Sequence, residues 1–209
     1  MQEYHKIQTL YKRDMSSRQK TIIEGAYSWP EFEYLANNIW VFTEKVDGTN
    51  IRVKYLNGAI SFAGKTDSAE TPAPLLARLQ ERFLPMTSQF ASLFNADVCV
   101  YGEGYGAKVQ KGGGKYRPDQ DFVLFDIKIG DWWLQRKDVE EIARTLELDI
   151  VPVIGEGRLQ DAADLAKKGI QSTWGNFEAE GIVARPKVEL KTPFFDLFKR
   201  KKVISIPAR

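Results

Sequence analysis

The chain is poor in the side chains most often used for acid–base and metal chemistry. Its 209 residues hold one cysteine, Cys99, and one histidine, His5. A single cysteine excludes a disulfide framework and a cysteine-based zinc cluster within the chain. A single histidine argues against a histidine-rich metal site and against a histidine-centred triad. Long hydrophobic runs are missing too. Nothing approaches the ~20 apolar residues that cross a bilayer, so no membrane partner is expected. No early stretch joins a basic start, an apolar run and a cleavage site, and a cytoplasmic protein is the expectation. Charge of one sign is not in excess, with a formal net charge of +2. Chemistry is left to carboxylates and lysines.

The lysines and arginines are unevenly spread. Lys108, Lys111, Lys115 and Arg117 crowd a glycine-rich stretch, "KVQKGGGKYR" at 108–117. Lys199, Arg200, Lys201 and Lys202 crowd the end. Clustered base on a near-neutral body is either a phosphate footprint or a solvated surface.

The chain reads as one domain over 1–209, without repeats, low-complexity segments or a linker. The residues up to Trp40 mix polar turns with aromatic anchors. Strands are predicted at 40–47, 50–56 and 59–63, the last after the turn signal Asn57-Gly58. Thr71-Pro72 is expected to cap a helix whose apolar face is Leu75, Leu76, Leu79 and Phe83. A short helix follows at 87–94. A strand is predicted at 97–106, and a strand, turn and strand over 121–134, turning at Gly130-Asp131. Helical spacing of Val139, Ile142, Ala143 and Leu146 predicts a helix over 136–147. Another covers 161–168 and stops at Gly169. Late strands are read at 178–190 and 194–205. Many strands with helices at irregular intervals predict an α+β domain.

One stretch raises a chemical question. "VFTEKVDGTNIRVKY" (41–55) reads as a strand, a tight turn and a return strand. On the first strand Val41, Thr43, Lys45 and Asp47 share one face, and Phe42, Glu44 and Val46 share the other. Gly48 is expected at positive φ. On the return strand Ile51, Val53 and Tyr55 alternate with Arg52 and Lys54. A lysine on a rigid strand beside a turn is well placed for covalent chemistry. By itself the pattern fits an exposed hairpin with a Lys–Asp surface pair equally well.

The rest of the chain adds to it. "KVDGTN" (45–50) resembles the first signature of the covalent nucleotidyltransferases: RNA ligases, DNA ligases and capping enzymes. "YGEGYG" (101–106), "FVLFDI" (122–127), "EGIVARP" (180–186) and "FKRKK" (198–202) resemble the later signatures, in the expected order. The N-terminal "YHKIQTLYKRD" and the loop "AKVQKGGGKY" resemble the branch of the Rnl2-type, ATP-dependent RNA ligases. The resemblance implies a nucleotidyltransferase (ATP-grasp-like) domain of antiparallel sheets with flanking helices.

It also implies a reaction and a set of roles. Lys45 would attack the α-phosphate of ATP and carry AMP. The AMP would pass to a 5′-phosphate end, which a 3′-hydroxyl would then join. Glu44 would help read the adenine edge, and Phe125 would stack on the base, leaving Phe122 to the core. Asn50 would meet the α-phosphate or the incoming 5′-phosphate. Glu180 would hold Mg2+ or Mn2+, with Glu103 meeting the ribose first and the metal second. Lys199 and Lys201, two apart on a strand, would grip phosphate, with Arg200 on the opposite face. Arg185 would help order the nucleotide. Lys65 stands where RNA ligases usually carry an arginine, and keeps the charge without the bidentate fork.

In the loop, Lys108, Lys111, Lys115, Tyr116 and Arg117 are candidates for nucleic-acid contact, the lysines and arginine on phosphate and the tyrosine on a base or sugar. RNA ends, in RNA or RNA/DNA hybrid, are the expected partners of a monomer without a C-terminal accessory domain. The other readings are a minimal DNA ligase, a capping guanylyltransferase and a non-catalytic RNA-end-binding module.

Overall fold

The computed structural model describes residues 3–18, 21–188 and 204–208. Its strands run β1 (Gln8–Thr9), β2 (Tyr11–Arg13), β3 (Ile22–Tyr27), β4 (Trp40–Lys45), β5 (Gly48–Leu56), β6 (Ala59–Ala63), β7 (Val98–Gly106), β8 (Gln120–Ile129), β9 (Trp132–Trp133), β10 (Val153–Gly157), β11 (Gly181–Pro186) and β12 (Ile204–Pro207). Its helices are α1 (Pro30–Tyr34), α2 (Ala73–Phe83), α3 (Thr87–Leu93), α4 (Arg136–Thr145) and α5 (Leu159–Lys168). This is the α+β class expected, and the described residues form two five-stranded sheets and one of two strands. The chain gathers into two compact units: Met1–Tyr4 with Val46–Val151, and His5–Lys45 with Pro152–Arg209.

The unit containing Val46–Val151 is built on an antiparallel sheet of order β6-β5-β7-β8-β9. Alternation gives this sheet two unlike faces. Ile51 and Val53 of β5, Val98 and Val100 of β7, and Phe122, Leu124 and Ile127 of β8 form the dry face. Leu75, Leu79 and Phe83, four apart on α2, cover it together with Phe90 of α3 and Val139 and Ala143 of α4. The opposite face carries Asn50, Arg52, Lys54, Tyr101 and Glu103.

The glycines of "YGEGYG" follow from this packing. A Cβ at Gly102 would overlap the Phe122 ring, and one at Gly104 would lie 3.0 Å from Ile51 Cγ1. The dry face of β7 is left bare so that its neighbours can fill it. Gly48 departs from expectation. It is absent from the positive-φ residues, and its need is steric: a Cβ would lie 2.8 Å from Glu103 Cγ.

Asp121 is buried at the end of this sheet beside Arg82 (2.7 Å) and Arg117 (2.6 Å). Burial alone would push its carboxyl up. The Phe122 amide, Arg82 and Arg117 outweigh burial and hold it below the ordinary carboxylate range. A depressed folded-state pKa stabilises above the unfolded value and is lost as pH falls through the folded one. Acid titration of stability is therefore expected to show a loss below about pH 4. Asp121→Asn should flatten that loss, read as denaturant midpoint against pH.

The unit containing His5–Lys45 holds a sheet of order β1-β12-β11-β4-β10, antiparallel except for the β1–β12 pair. Its core joins Trp40 and Phe42 of β4, Ile182 and Ala184 of β11, and Ile204 and Ile206 of β12. Leu159, Ala162, Ala163 and Ala166 of α5 and Phe32 of α1 close it. Small residues on α5 let the helix lie close to the sheet. The two-stranded sheet pairs β2 with β3.

Several elements differ from the sequence reading. β4 ends at Lys45, not 47, and the return strand starts at Gly48. Thr71 does not cap α2: Pro72 occupies the N-cap position, with no side-chain cap bond. β1, β2 and β3 replace the polar turns read before Trp40. β10, "VIGEG", was not anticipated, because two glycines in five residues are poor strand formers. It forms by pairing along β4, with a register shift between Val153 and Gly155.

Candidate active site

β4 brings two of the motifs together. It runs antiparallel to β11, with Lys45 opposite Gly181. That register sets Glu180 beside Lys45, and the two side chains form an ion pair. Side-chain exposure is 30% for Lys45 and 38% for Glu180, so both remain open to a ligand. Residues 135 positions apart are thus held face to face by strand pairing.

Glu44, the preceding residue, has the opposite environment. It is 1% exposed. Its carboxylate accepts from Ser172 Oγ (2.6 Å), Thr173 N (2.9 Å) and Thr173 Oγ1 (2.9 Å). The structure engages Glu44 with the 172–173 turn. Ser172 and Thr173 escaped the sequence reading, since a Ser-Thr pair in a loop marks many ordinary turns. Arg185 lies on β11, half-buried.

The unit with the β5–β7–β8 sheet carries other candidates. Asn50 and Glu103 are direct cross-strand partners on its polar face. Asn50 Oδ1 is buried without a hydrogen-bond partner, and Glu103 is half-buried. Phe125 owes its position to a bulge. Tyr101 pairs with Asp126 and Gly102 with Leu124, which leaves Phe125 unopposed on β8. A bulge re-aims the extra side chain. Phe125 is half-buried, with the Tyr4 ring edge-on at 5.0 Å, and Tyr4 is fixed by a 2.9 Å bond from its hydroxyl to Asp126. Phe122 is fully buried, as expected of a core residue.

Lys65 lies exposed on the turn after β6. In the glycine-rich loop Lys108, Lys111 and Lys115 are exposed. The other two candidates serve the loop itself. The Tyr116 hydroxyl accepts from the Asp47 amide at 3.2 Å, and Gln110 Nε2 donates to the Gly48 carbonyl at 3.2 Å. The loop is thereby tied to the Asp47–Gly48 turn. Arg117 gives its guanidinium to Asp119 (2.8 Å) and Asp121 (2.6 Å), 5.9 Å over the Tyr105 ring. Three of its N–H donors go to these carboxylates. Tyr116→Phe should cost about 1 kcal/mol locally and speed hydrogen exchange of the Asp47 amide about fivefold. An unchanged exchange rate would mean the tie is not formed in solution.

Lys199, Arg200 and Lys201 lie outside the described residues. Among the described residues no three Asp, Glu, His or Cys side chains converge as a metal cage. Glu180 in one unit and Glu103 in the other are carboxylates, the donor type that hard divalent cations take.

A profile of the RNA ligase family matches residues 38–203, more than half of the chain. No curated protein matches. Among solved structures, a mutant RNA ligase of Naegleria gruberi with ATP and Mn is similar at a TM-score of 0.66 and 20% identity, covering 86% of this chain and 52% of that one. The Naegleria gruberi RNA ligase with PPi gives the same TM-score of 0.66, identity of 20% and coverages of 86% and 52%. An apo mutant of that ligase covers 99% of this chain and 58% of its own, at TM-score 0.65 and 18% identity. The chain thus spans about half the length of these ligases and shares their nucleotidyltransferase fold.

Proposed function

This chain belongs to the RNA ligase family, and on that premise we propose that it is an ATP-dependent RNA ligase that works through a lysyl-AMP on Lys45. The observation that carries the proposal is the strand register that sets Lys45 beside Glu180, both side chains open.

Lys45 Nζ gives up a proton to solvent and attacks the α-phosphorus of ATP. A P–N bond forms, the α–β P–O bond breaks and pyrophosphate leaves. An oxygen of a 5′-phosphate end then attacks the same phosphorus, the P–N bond breaks and the amine is returned. Finally a 3′-hydroxyl attacks the phosphorus of the capped end, loses its proton, and AMP departs.

Such transfers depend on positioning and charge neutralisation. Phe125 offers the adenine a ring held edge-on by Tyr4. Glu103 takes the ribose, and Asn50 and Lys65 take phosphate. Glu44 keeps the strand end and the 172–173 turn rigid next to the nucleophile. Lys199 and Lys201 add phosphate contacts in this reading. Glu180, with Glu103 as second donor, would hold Mg2+ or Mn2+, which would supply positive charge to the transferring phosphate. The same proposal takes the chain as a cytoplasmic monomer acting on RNA or RNA/DNA hybrid ends.

Incubation with labelled ATP or GTP and magnesium, followed by a denaturing gel, tests the proposal. A covalent adduct from ATP supports it. Labelling by GTP alone would indicate a capping enzyme, and no labelling a binding module. Nicked substrates with RNA or DNA on each side of the break then separate an RNA ligase from a DNA ligase. The exposed Lys108, Lys111 and Lys115 supply sequence-independent phosphate contacts, so raising salt should weaken strand joining more than self-adenylylation. Equal salt sensitivity would count against a separate phosphate-binding loop.

A further inference from the structure

Arg52 is a charged side chain that neither the motifs nor the proposed reaction use. It sits on the polar face of the β5–β7–β8 sheet and is 0% exposed. A guanidinium out of water is costly unless its donors and charge are matched. The match comes from the turn after β6. Arg52 Nε donates to the Gly64 carbonyl at 2.9 Å, and its Nη2 donates to Asp67 Oδ1 at 2.8 Å. The two bonds fall on either side of Lys65.

The turn is tight in other respects. The Ala69 amide donates to the Thr66 carbonyl at 3.3 Å, and a Cβ on Gly64 would lie 2.9 Å from Ala69 Cβ. Asp67 is the only acidic residue among residues 64–69. Its carboxylate is given to Arg52, with Lys54 Nζ 3.7 Å from the same oxygen. Arg52 first, and then Lys54, hold its carboxyl below the ordinary range, so it stays charged in this role. Lys65 is left exposed, on a backbone clamped at both sides, while the turn's one carboxylate is committed elsewhere.

We infer that Arg52 and Asp67 are a positioning pair that fixes the Lys65 turn so that the Lys65 ammonium meets a phosphate of the bound nucleotide. Arg52 acts through the turn and touches no substrate. The inference rests on the ATP-dependent reading above. It adds the device by which a lysine, lacking the bidentate fork of an arginine, is made precise: the fork lies one layer below and holds the backbone in place of the phosphate.

The test is the ATP dependence of Lys45 adenylylation in purified full-length chain. Lys65→Ala should raise the ATP concentration for half-maximal labelling about tenfold, the loss of one charge-assisted contact. Arg52→Met keeps the buried volume without the charge, and its carboxylate partner Asp67, 71% exposed, is left in water rather than buried and unpaired. It should give a similar rise at an unchanged melting temperature. Should Arg52→Met fail to fold, Asp67→Ala replaces it, because Asp67 is 71% exposed and its loss leaves the core intact. Combining Lys65→Ala with either clamp variant should add little beyond the single change, since both act on one contact. Lys65→Arg should keep the native ATP dependence in the native background and, by bringing its own fork, recover part of the loss in the clamp variant.

A tenfold loss in Lys65→Ala with no change in Asp67→Ala or in folded Arg52→Met overturns the clamp. So does a multiplied, about hundredfold, loss in the double variant. Absence of any Lys45 adduct in the native chain is a different result: it removes the ligase reading itself.

Discussion

Lys45→Ala is expected to abolish covalent labelling by ATP, with at least a thousandfold loss of strand joining from unmodified ends. In the proposed reaction no other group can substitute, because the amine would form the bond that stores the AMP. The same variant should still join an end that already carries AMP on its 5′-phosphate, since the last step uses no lysine nucleophile. The split between the two substrates separates loss of the nucleophile from loss of the fold. The side chain is half-open at the end of β4, so its truncation leaves no cavity and the melting temperature should hold.

The largest stability effect is expected from Gly102→Ala. The added Cβ overlaps the Phe122 ring in the middle of the dry face, where neither β7 nor β8 can move without breaking the sheet. Overpacking of this kind costs about 3 kcal/mol. For a chain of this size that is roughly a 10 °C drop in melting temperature. Gly114→Ala is the control. Its Cβ would meet only Ala107 Cβ, at the ordinary distance of 3.9 Å, and its effect should stay within about 0.5 kcal/mol. Equal melting of the two variants would contradict the packing account of the "YGEGYG" glycines.

The strand pairs around 41–63 and 97–133 were legible because turn signals and period-two patterns coincide there. Helices α2 and α4 were legible from their apolar spacing. The meeting of Lys45 with Glu180 needed more: motif order places both in one family pattern, and only the β4–β11 register sets them side by side.

Elements without their own pattern stayed hidden. β10 exists because β4 offers an edge, and its glycines argue the other way. The bulge that frees Phe125 is a mismatch between two strands, visible in neither alone. Partner choice was equally hidden. Arg117 and Lys115 look alike in a basic loop, yet only Arg117 has Asp119 and Asp121 within reach of its fork. Arg52 alternates with apolar residues, a pattern that assigns its face but not its partners, and the folded turn at 64–67 supplies two of them.

Mass mapping of the native chain after incubation with ATP and magnesium tests the central claim most directly. The account predicts one AMP per chain, released by acid as expected of a phosphoramidate, on the peptide that contains Lys45. An unmodified chain, or AMP carried by a different lysine, would contradict it.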